Sequence, residues 1–414
     1  MYVTLFKHPK TIARHHAAPL LKAREQFLES CANNGYSHAM LVKIAWVLFS
    51  IAPCIDIENG KITTRDIEQA IDNRVRLRNF SQNVKIAKST RQLFIHIATD
   101  WLRSLGCFEE PSETEGPFSA LIISYARYLS EDRGLSPATI STRCERLNWF
   151  FQSLQPSRNS LDTIKIADVD AFIEAKGNKG WKRSSLSSLA SSLRGFFRYA
   201  EGMGWCRPGI AAVIESPRIY AFEGLAKGPR WEDVQRLLAS TRGDCPNEIR
   251  AHAILMLLAV YGFRRSEVAR LQLNDLDWAG EKIMVSRSKQ RRIQHYPLLY
   301  EVGEAILRYL HKVRPCSKHR DLFLTLSAPI RPLSAESISP IVRSRLRSLG
   351  IALPHYGAHC LRHACANHLL ASGFTLKQIG DYLGHRAANS TLKYTKIDLG
   401  GLQKVSDFDL GGLL

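Results

Sequence analysis

Apolar residues recur at helical spacing through most of the chain. LLKAREQFLESC, MLVKIAWVLFSI and TRQLFIHIATDWLRSLG each gather their apolar side chains on one helix face, so residues 20–110 read as helical. Residues 117–206 follow the same plan in FSALIISYARYLSEDRG, TISTRCERLNWFFQSL and SLSSLASSLRGFFRYAEGMG. Laid side by side, FLESCANNGYS parallels YLSEDRGLS and ITTRDIEQAI parallels IKIADVDAFI. Both halves close on an aromatic helix that ends in Gly106 or Gly204. Two readings fit: a tandem repeat of about 100 residues, or two helical bundles that coincide in plan.

Pro208 to Pro229 is broken by Pro217, Gly224 and Gly228 and reads as a linker. From Trp231 the pattern predicts a helix through Val234, Leu237 and Leu238, then a buried helix over Ile254–Val260. The apolar run from Ala253 to Tyr261 is too short to span a bilayer. Two β-prone runs, Ile283–Val285 and Arg292–Pro297, flank a polar turn and predict a hairpin. Helices follow near 300–313 and 335–348. Another runs through Leu361, Ala364, Ala366, Leu369 and Leu370 to a stop at Gly373. A last short helix holds Leu376, Ile379, Tyr382 and Leu383 and ends at Gly384, a good residue just past a helix end. The expected architecture is mostly α with a small antiparallel β-sheet. Its segments are an N-terminal helical module (1–112), a second helical module (113–215), a linker (216–229) and a C-terminal domain with tail (230–414). A chain of 414 residues is long enough for two or three separate cores.

Composition sharpens the picture. Lys plus Arg number 57 against 38 Asp plus Glu, a surplus of 19. Solubility alone needs only a few charges, so an excess this large points to a polyanion, and nucleic acid is the natural one. The nine cysteines are scattered with no CxxC pair and read as reduced core residues. His359, Cys360, His363, Cys365 and His368 crowd one helix, but their spacing fits no standard zinc pattern. The opening MYVTLFKHPKTIARHH lacks the apolar stretch of a signal peptide, so a cytoplasmic protein with no membrane partner is expected.

The candidate chemistry lies in AHCLRHACANHLLASGFTLKQIGDYLGHRAANSTLKYTKID. His359 and Arg362, three residues apart, share one helix face. His385 follows just beyond the short helix, and Tyr394 nine residues later. The sequence HxLRH, then LGH, then a tyrosine in a T-x-x-Y context resembles the C-terminal catalytic motif of the tyrosine recombinases, the phage-integrase family. Upstream, GFRRSE at Gly262–Glu267 is similar to that family's G-L-R-x-S-E turn, with Phe263 in place of leucine. Lys289 matches its hairpin lysine. The resemblance is specific over about residues 225–400, weaker over 117–215, and absent in that form before 110.

What the resemblance implies is DNA strand exchange through a 3′-phosphotyrosyl intermediate, with neither metal, ATP nor any cofactor. Such a reaction needs a nucleophile, positive charge on the non-bridging oxygens and an acid for the leaving oxygen. Tyr394 is the expected nucleophile. Arg264 and Arg362 are expected to clamp the phosphate with planar, permanently charged guanidiniums. Lys289 is the expected general acid. His359 would take the tyrosine proton or hold a phosphate oxygen, and His385 would bond the phosphate or brace the site. Glu267 either orients Arg264 or caps a helix. Arg287, Arg291 and Arg292 at the hairpin read as phosphate contacts. So do Lys176, Lys179, Lys182 and Arg183 around Trp181. The second helical module resembles the family's core-binding domain, a DNA-gripping bundle, which implies that Arg143, Arg146, Arg194 and Arg198 face phosphates; a solvated helix surface is the alternative for each. Tyr382 and Tyr356 are the rival nucleophiles, the first at an apolar helical position. His363 and His368 read as structural.

The implied partners are double-stranded DNA, further copies of the chain (a tetramer at synapsis) and accessory proteins. The implied role is integrase or transposase of a mobile element. A type IB topoisomerase and a catalytically silent DNA-binding factor of the same fold are the alternatives. The role of residues 1–112, and whether the tail docks in cis or in trans, stay open.

Overall fold

The computed structural model describes residues 1–55, 61–78, 88–110, 116–154, 160–218, 228–287, 292–385 and 391, without the side chains of 74–78 and 88–89. It is helical with one small sheet, as expected. Two compact units divide the chain: Met1–Cys54 with Gly224–Leu414, and Ile55–Glu223. The division into compact units falls at 54/55 and again at 223/224. Most of the expected linker lies outside the described residues.

The first unit opens with α1 (Tyr2–Leu5), α2 (Pro9–Ala17), α3 (Leu21–Asn33) and α4 (His38–Ile51). Arg24 of α3 is buried at their centre. It donates to the carbonyls of His15 at 2.8 Å, Ala18 at 2.7 Å and Pro19 at 2.8 Å, and to the Tyr2 hydroxyl at 3.0 Å. One guanidinium thus satisfies carbonyls at the end of α2 that the helix itself leaves open. The His15 ring packs against Tyr2 and Phe6, with centroids 4.8 and 4.6 Å away. Burial, with the Arg24 charge, lowers its pKa to about 4 and keeps it neutral.

The second unit begins with α5 (Thr64–Arg78) and α6 (Lys88–Ser104), then α7 (Ser119–Glu131), α8 (Pro137–Ser153), α9 (Ile166–Asn178), α10 (Arg183–Gly202) and the short α11 (Ile210–Val213). Ser136 starts α8 by accepting from the Thr139 N–H, with Pro137 in the first turn where no N–H is needed. Leu147, Phe150, Leu189, Leu193, Phe196 and Phe197 form the centre of α7–α11. Phe196 packs edge-on against Tyr125 and Phe151, at 5.4 and 5.5 Å between centroids.

Two arginines expected to face phosphates are instead tied into this unit. Arg146 donates to the Ser188 carbonyl and to the hydroxyls of Ser188 and Ser192, linking α8 to α10. Arg194 grips the Ile214 carbonyl through two nitrogens, at 3.0 and 2.6 Å, and Ser216 Oγ. The physical reason is common to both: polar groups of the packed bundle lie within reach and need donors. Lys176 also differs from its neighbours. Its ammonium sits over the rings of Trp149, Phe172 and Trp181 at 5.0, 5.1 and 5.5 Å. Lys179, Lys182, Arg183 and Arg198 are exposed and Arg143 is half-buried.

The rest of the first unit holds α12 (Trp231–Ala239), α13 (Pro246–Val260), α14 (Arg265–Arg270), β1 (Leu276–Asp277), β2 (Lys282–Arg287), β3 (Arg292–Pro297), α15 (Tyr300–Lys312), α16 (Ala335–Ser348), α17 (Ala358–Ala371) and α18 (Leu376–Leu383). The strands form one antiparallel sheet in sequence order, with Ile283 opposite Tyr296 and Arg287 opposite Arg292. α13 is buried along its length from Ala253 to Ala259, as its apolar run predicts. It packs with α15 and α17 around a core that includes Leu258, Phe263, Ile283, Tyr309 and Leu361. Among the described residues no helix is long and apolar enough to cross a membrane.

Because Phe196 is wholly buried among aromatic rings, Phe196→Ala should destabilise the helical unit by about 3–5 kcal/mol. A urea titration followed by far-UV circular dichroism checks this. An unchanged midpoint would contradict the packing described.

Candidate active site

Two glycines let the site close. Gly262 ends α13 with φ +60, and a Cβ there would lie 2.5 Å from Leu383 Cδ2. Gly384 ends α18 with φ +64, where a Cβ would lie 2.8 Å from Arg287 Nε. The α18 end is fastened by His385 N–H donating to the Gly380 carbonyl at 2.8 Å, a six-to-one bond of the Schellman type. Its start carries a reciprocal box, in which Thr375 Oγ1 accepts from Gln378 N–H and Gln378 Oε1 accepts from Thr375 N–H. The turn before α14 therefore lies against the turn after α18.

Arg264 sits at the head of α14. Glu267, one turn on, accepts from its backbone N–H at 2.7 Å and from its Nη1 at 2.7 Å, so this carboxylate both caps the helix and orients the arginine. Arg264 Nη2 reaches on to the Gly384 carbonyl at 3.2 Å. Arg362 of α17 is buried, its Nη1 on the Gly262 carbonyl at 2.7 Å and its Nη2 on the Leu383 carbonyl at 2.6 Å. The two guanidiniums thus hold adjacent carbonyls of one turn.

Arg287 requires a correction. Expected as a phosphate contact at an exposed hairpin tip, it is 1% exposed and bonds Glu267 Oε2 through Nη1 at 2.6 Å. It also donates to Gln294 Oε1 at 3.2 Å, to the Tyr296 hydroxyl and to the Tyr382 carbonyl. Strand alternation is the cause: β2 turns Ile283, Val285 and Arg287 to the core together. Burial alone would raise the Glu267 carboxyl. The Arg287 charge and the hydrogen bonds from Arg264 and Arg287 outweigh it and hold the group below its ordinary range. Three guanidiniums thus meet at two facing turns, with the Glu267 carboxylate accepting from Arg264 and Arg287.

His385 follows the same turn, and its Nδ1 lies 2.7 Å from Thr391 Oγ1. Thr391 is the threonine of the T-x-x-Y sequence, three residues before Tyr394. His359 is exposed on the first turn of α17, with its ring 4.3 Å from that of His363. His368 stacks face to face on Trp231 at 3.8 Å. Of the expected catalytic set, the structure brings Arg264, Arg362 and His385 to one pair of turns. Lys289, Arg291 and Tyr394 lie outside the described residues. Arg292 is exposed at the first position of β3.

The rival tyrosines are occupied. Tyr382 donates to the Val260 carbonyl at 3.1 Å, and burial pushes its pKa well above the ordinary value. Tyr356 donates to the Ile351 carbonyl at 2.9 Å. Sequence reasoning missed three participants: Gln294, Tyr296 and Thr391. The inward alternation of β3 could have flagged Tyr296, and Thr391 stood inside the quoted motif; nothing marked Gln294.

Removing the central carboxylate strands a buried arginine, so Glu267→Gln should cost about 3–5 kcal/mol in urea unfolding. Glu267→Gln with Arg287→Met should recover part of that loss. The sign of the pH effect follows from the lowered carboxyl. Its stabilisation is complete above the ordinary value of 4.5 and is lost as pH falls through the lower folded value. A stability profile between pH 7 and pH 3 should therefore have a shallower acid limb in Glu267→Gln, and an identical limb would refute the assignment.

Residues 230–399 match the model of the phage integrase family, and residues 122–203 match that of the phage integrase N-terminal SAM-like domain. The integrase/recombinase y4rA of Sinorhizobium fredii (strain NBRC 101917 / NGR234) is 34% identical over 312 residues, covering 74% of this chain and 75% of its own. Tyrosine recombinase XerD of Listeria monocytogenes serotype 4b (strain F2365) is 28% identical over 283 residues, 67% of this chain and 94% of its own. Among solved structures, the XerH site-specific recombinase bound to a palindromic difH substrate, a post-cleavage complex, superposes with a TM-score of 0.57 at 17% identity. That match spans 85% of this chain and 98% of XerH. By these matches, made over the segments that carry the arginine turn and the HxLRH and LGH motifs, the chain belongs to the phage integrase family of tyrosine recombinases, which break and rejoin DNA.

Proposed function

We propose that this chain carries out site-specific strand exchange on double-stranded DNA as the integrase or transposase of a mobile element, acting in the cytoplasm. The observation that carries the reading is the convergence of the Arg264 and Arg362 guanidiniums on the carbonyls of the Gly384 turn, with His385 beside it and tethered to Thr391. An electropositive, partly buried site of this kind favours a phosphate whose charge grows in the transition state.

In this reading the Tyr394 hydroxyl attacks the scissile phosphorus, His359 accepts its proton, and the bond to the 5′ oxygen breaks. Lys289 gives that oxygen a proton. The product is a 3′-phosphotyrosyl ester and a free 5′ hydroxyl, so the energy of the broken bond is retained. A 5′ hydroxyl from a second duplex then attacks the ester, and the tyrosine leaves with its proton restored. No water, metal or nucleotide is consumed. Arg264, about a quarter exposed, meets the non-bridging oxygens directly. Arg362, buried, adds its charge from beneath the turn. On DNA the working assembly is a tetramer of this chain at synapsis, with accessory proteins setting the direction of reaction. Phosphate contacts are assigned to Lys179, Lys182 and Arg183 on the helical unit and to Arg291 and Arg292 at the hairpin. Lys176 steadies the first group from its aromatic seat.

Nicked suicide duplexes from the ends of the element that carries the gene test this. Wild-type protein should form a covalent adduct at the DNA 3′ phosphate in chelator, visible on a denaturing gel. Tyr394→Phe should form none, and Arg264→Ala should slow adduct formation by roughly 10²–10³-fold. Joining of two different duplexes would separate recombinase from a topoisomerase, which relaxes one molecule. Specific binding with no adduct would leave a silent DNA-binding factor.

A further inference from the structure

At the end of α18 the carbonyls of Asp381, Tyr382, Leu383 and Gly384 follow one another, and each is met by a side chain from another element. Gln294 Nε2 donates to that of Asp381 at 2.9 Å. The Tyr296 hydroxyl donates to that of Tyr382, which Arg287 Nη2 also reaches at 3.4 Å. Arg362 takes that of Leu383 and Arg264 that of Gly384. A helix end presents open carbonyls and about half an elementary negative charge, which by itself would oppose a phosphate brought to the same turn. Side-chain donors from β2, β3, α14 and α17 answer that end here.

The donors fall into two kinds. Arg264 and Arg362 are the guanidiniums assigned to the phosphate. Gln294 and Tyr296 are uncharged and stand two residues apart on β3, so strand alternation turns them to the same side, with Ile293 and His295 exposed on the other. Their orientation is fixed independently of α18. Gln294 Oε1 accepts from Arg287 Nε at 3.2 Å, which turns its amide nitrogen to the Asp381 carbonyl. The Tyr296 ring packs edge-on against Phe263 and Tyr382, at 5.0 and 5.5 Å between centroids. Arg287 Nη2 donates to its hydroxyl, which leaves the hydroxyl proton for the Tyr382 carbonyl. Burial, outweighing the Arg287 charge, raises the pKa of this tyrosine, so the proton stays in place.

His385 is carried by the same helix end. Its N–H bonds the Gly380 carbonyl inside the last turn, and its ring is tethered to Thr391. Whatever fixes that turn fixes the point from which the histidine side chain starts.

We propose that Gln294 and Tyr296 are positioning residues: by holding the Asp381 and Tyr382 carbonyls they set the last turn of α18, and through it the place of His385 beside the arginines. The inference rests on the function proposed above, in which His385 stands at the phosphate. It is separate from packing, since a phenylalanine at position 296 would keep the ring contacts and lose only the grip on the carbonyl. With two carbonyls taken by neutral donors, Arg264 and Arg362 serve only the next two.

The test follows adduct formation on the nicked suicide duplex in a single turnover, in wild type, Tyr296→Phe, His385→Ala and the double variant, with affinity for the duplex measured alongside. Tyr296→Phe should slow the adduct by roughly 10- to 100-fold and leave affinity unchanged. In the His385→Ala background it should add no further slowing, because both act through one group. A wild-type rate in Tyr296→Phe overturns the proposal. So does slowing of equal size with and without His385, the result expected of a residue that only supports the fold. Gln294→Met, at a half-buried position, goes through the same cycle and stands in for Tyr296→Phe if that variant unfolds at lower urea. A readout without turnover separates this inference from the strand-exchange reading. In DNA-free protein labelled at histidine, the ring signal that vanishes in His385→Ala should move in Tyr296→Phe and in Gln294→Met. An unmoved signal overturns the positioning role even where wild type forms the adduct. A moved signal with no wild-type adduct would leave that role standing and refute strand exchange.

Discussion

The catalytic half depends on one buried negative charge. Glu267 accepts from the backbone and side chain of Arg264 and from Arg287, joining α14 to the edge of the sheet. Arg287 then reaches the Tyr382 carbonyl, and Arg264 the Gly384 carbonyl beyond it, so the carboxylate indirectly holds α18 as well. Desolvating a carboxylate is expensive, and the arrangement is sustained because every oxygen is met by charged or backbone donors. Arg264 is thereby held in one orientation, the preorganisation that its proposed role on a phosphate requires.

That network was partly legible in the sequence. The hairpin, the arginine turn, the stop at Gly384 and the buried α13 follow from alternation, periodicity and helix-ending residues that act locally. Glu267 could be read as orienting Arg264 or capping a helix, and it does both because the two donors lie on the same residue. Arg287 was misread although strand alternation already assigned it inward. An arginine in a basic hairpin suggests solvent and phosphate, and only the presence of a buried acid on another element reverses that.

Other parts were not legible for a related reason. Whether Arg146, Arg194 or Arg24 faces solvent or ties carbonyls together depends on which backbone ends the fold brings near, and sequence spacing carries no record of that. By contrast, the caps at Ser37 and Ser136, each accepting from the N–H three residues on, are local chemistry that a sequence carries directly.

Gly384 carries a last consequence. At this position a helix end, the Arg264 guanidinium and the Arg287 side chain from the sheet come within contact of one backbone unit, leaving no room for a methyl group. A drift in any one element would have to be matched by the others. A side chain at this one position would therefore disturb the end of α18, the turn before α14 and the edge of the sheet together.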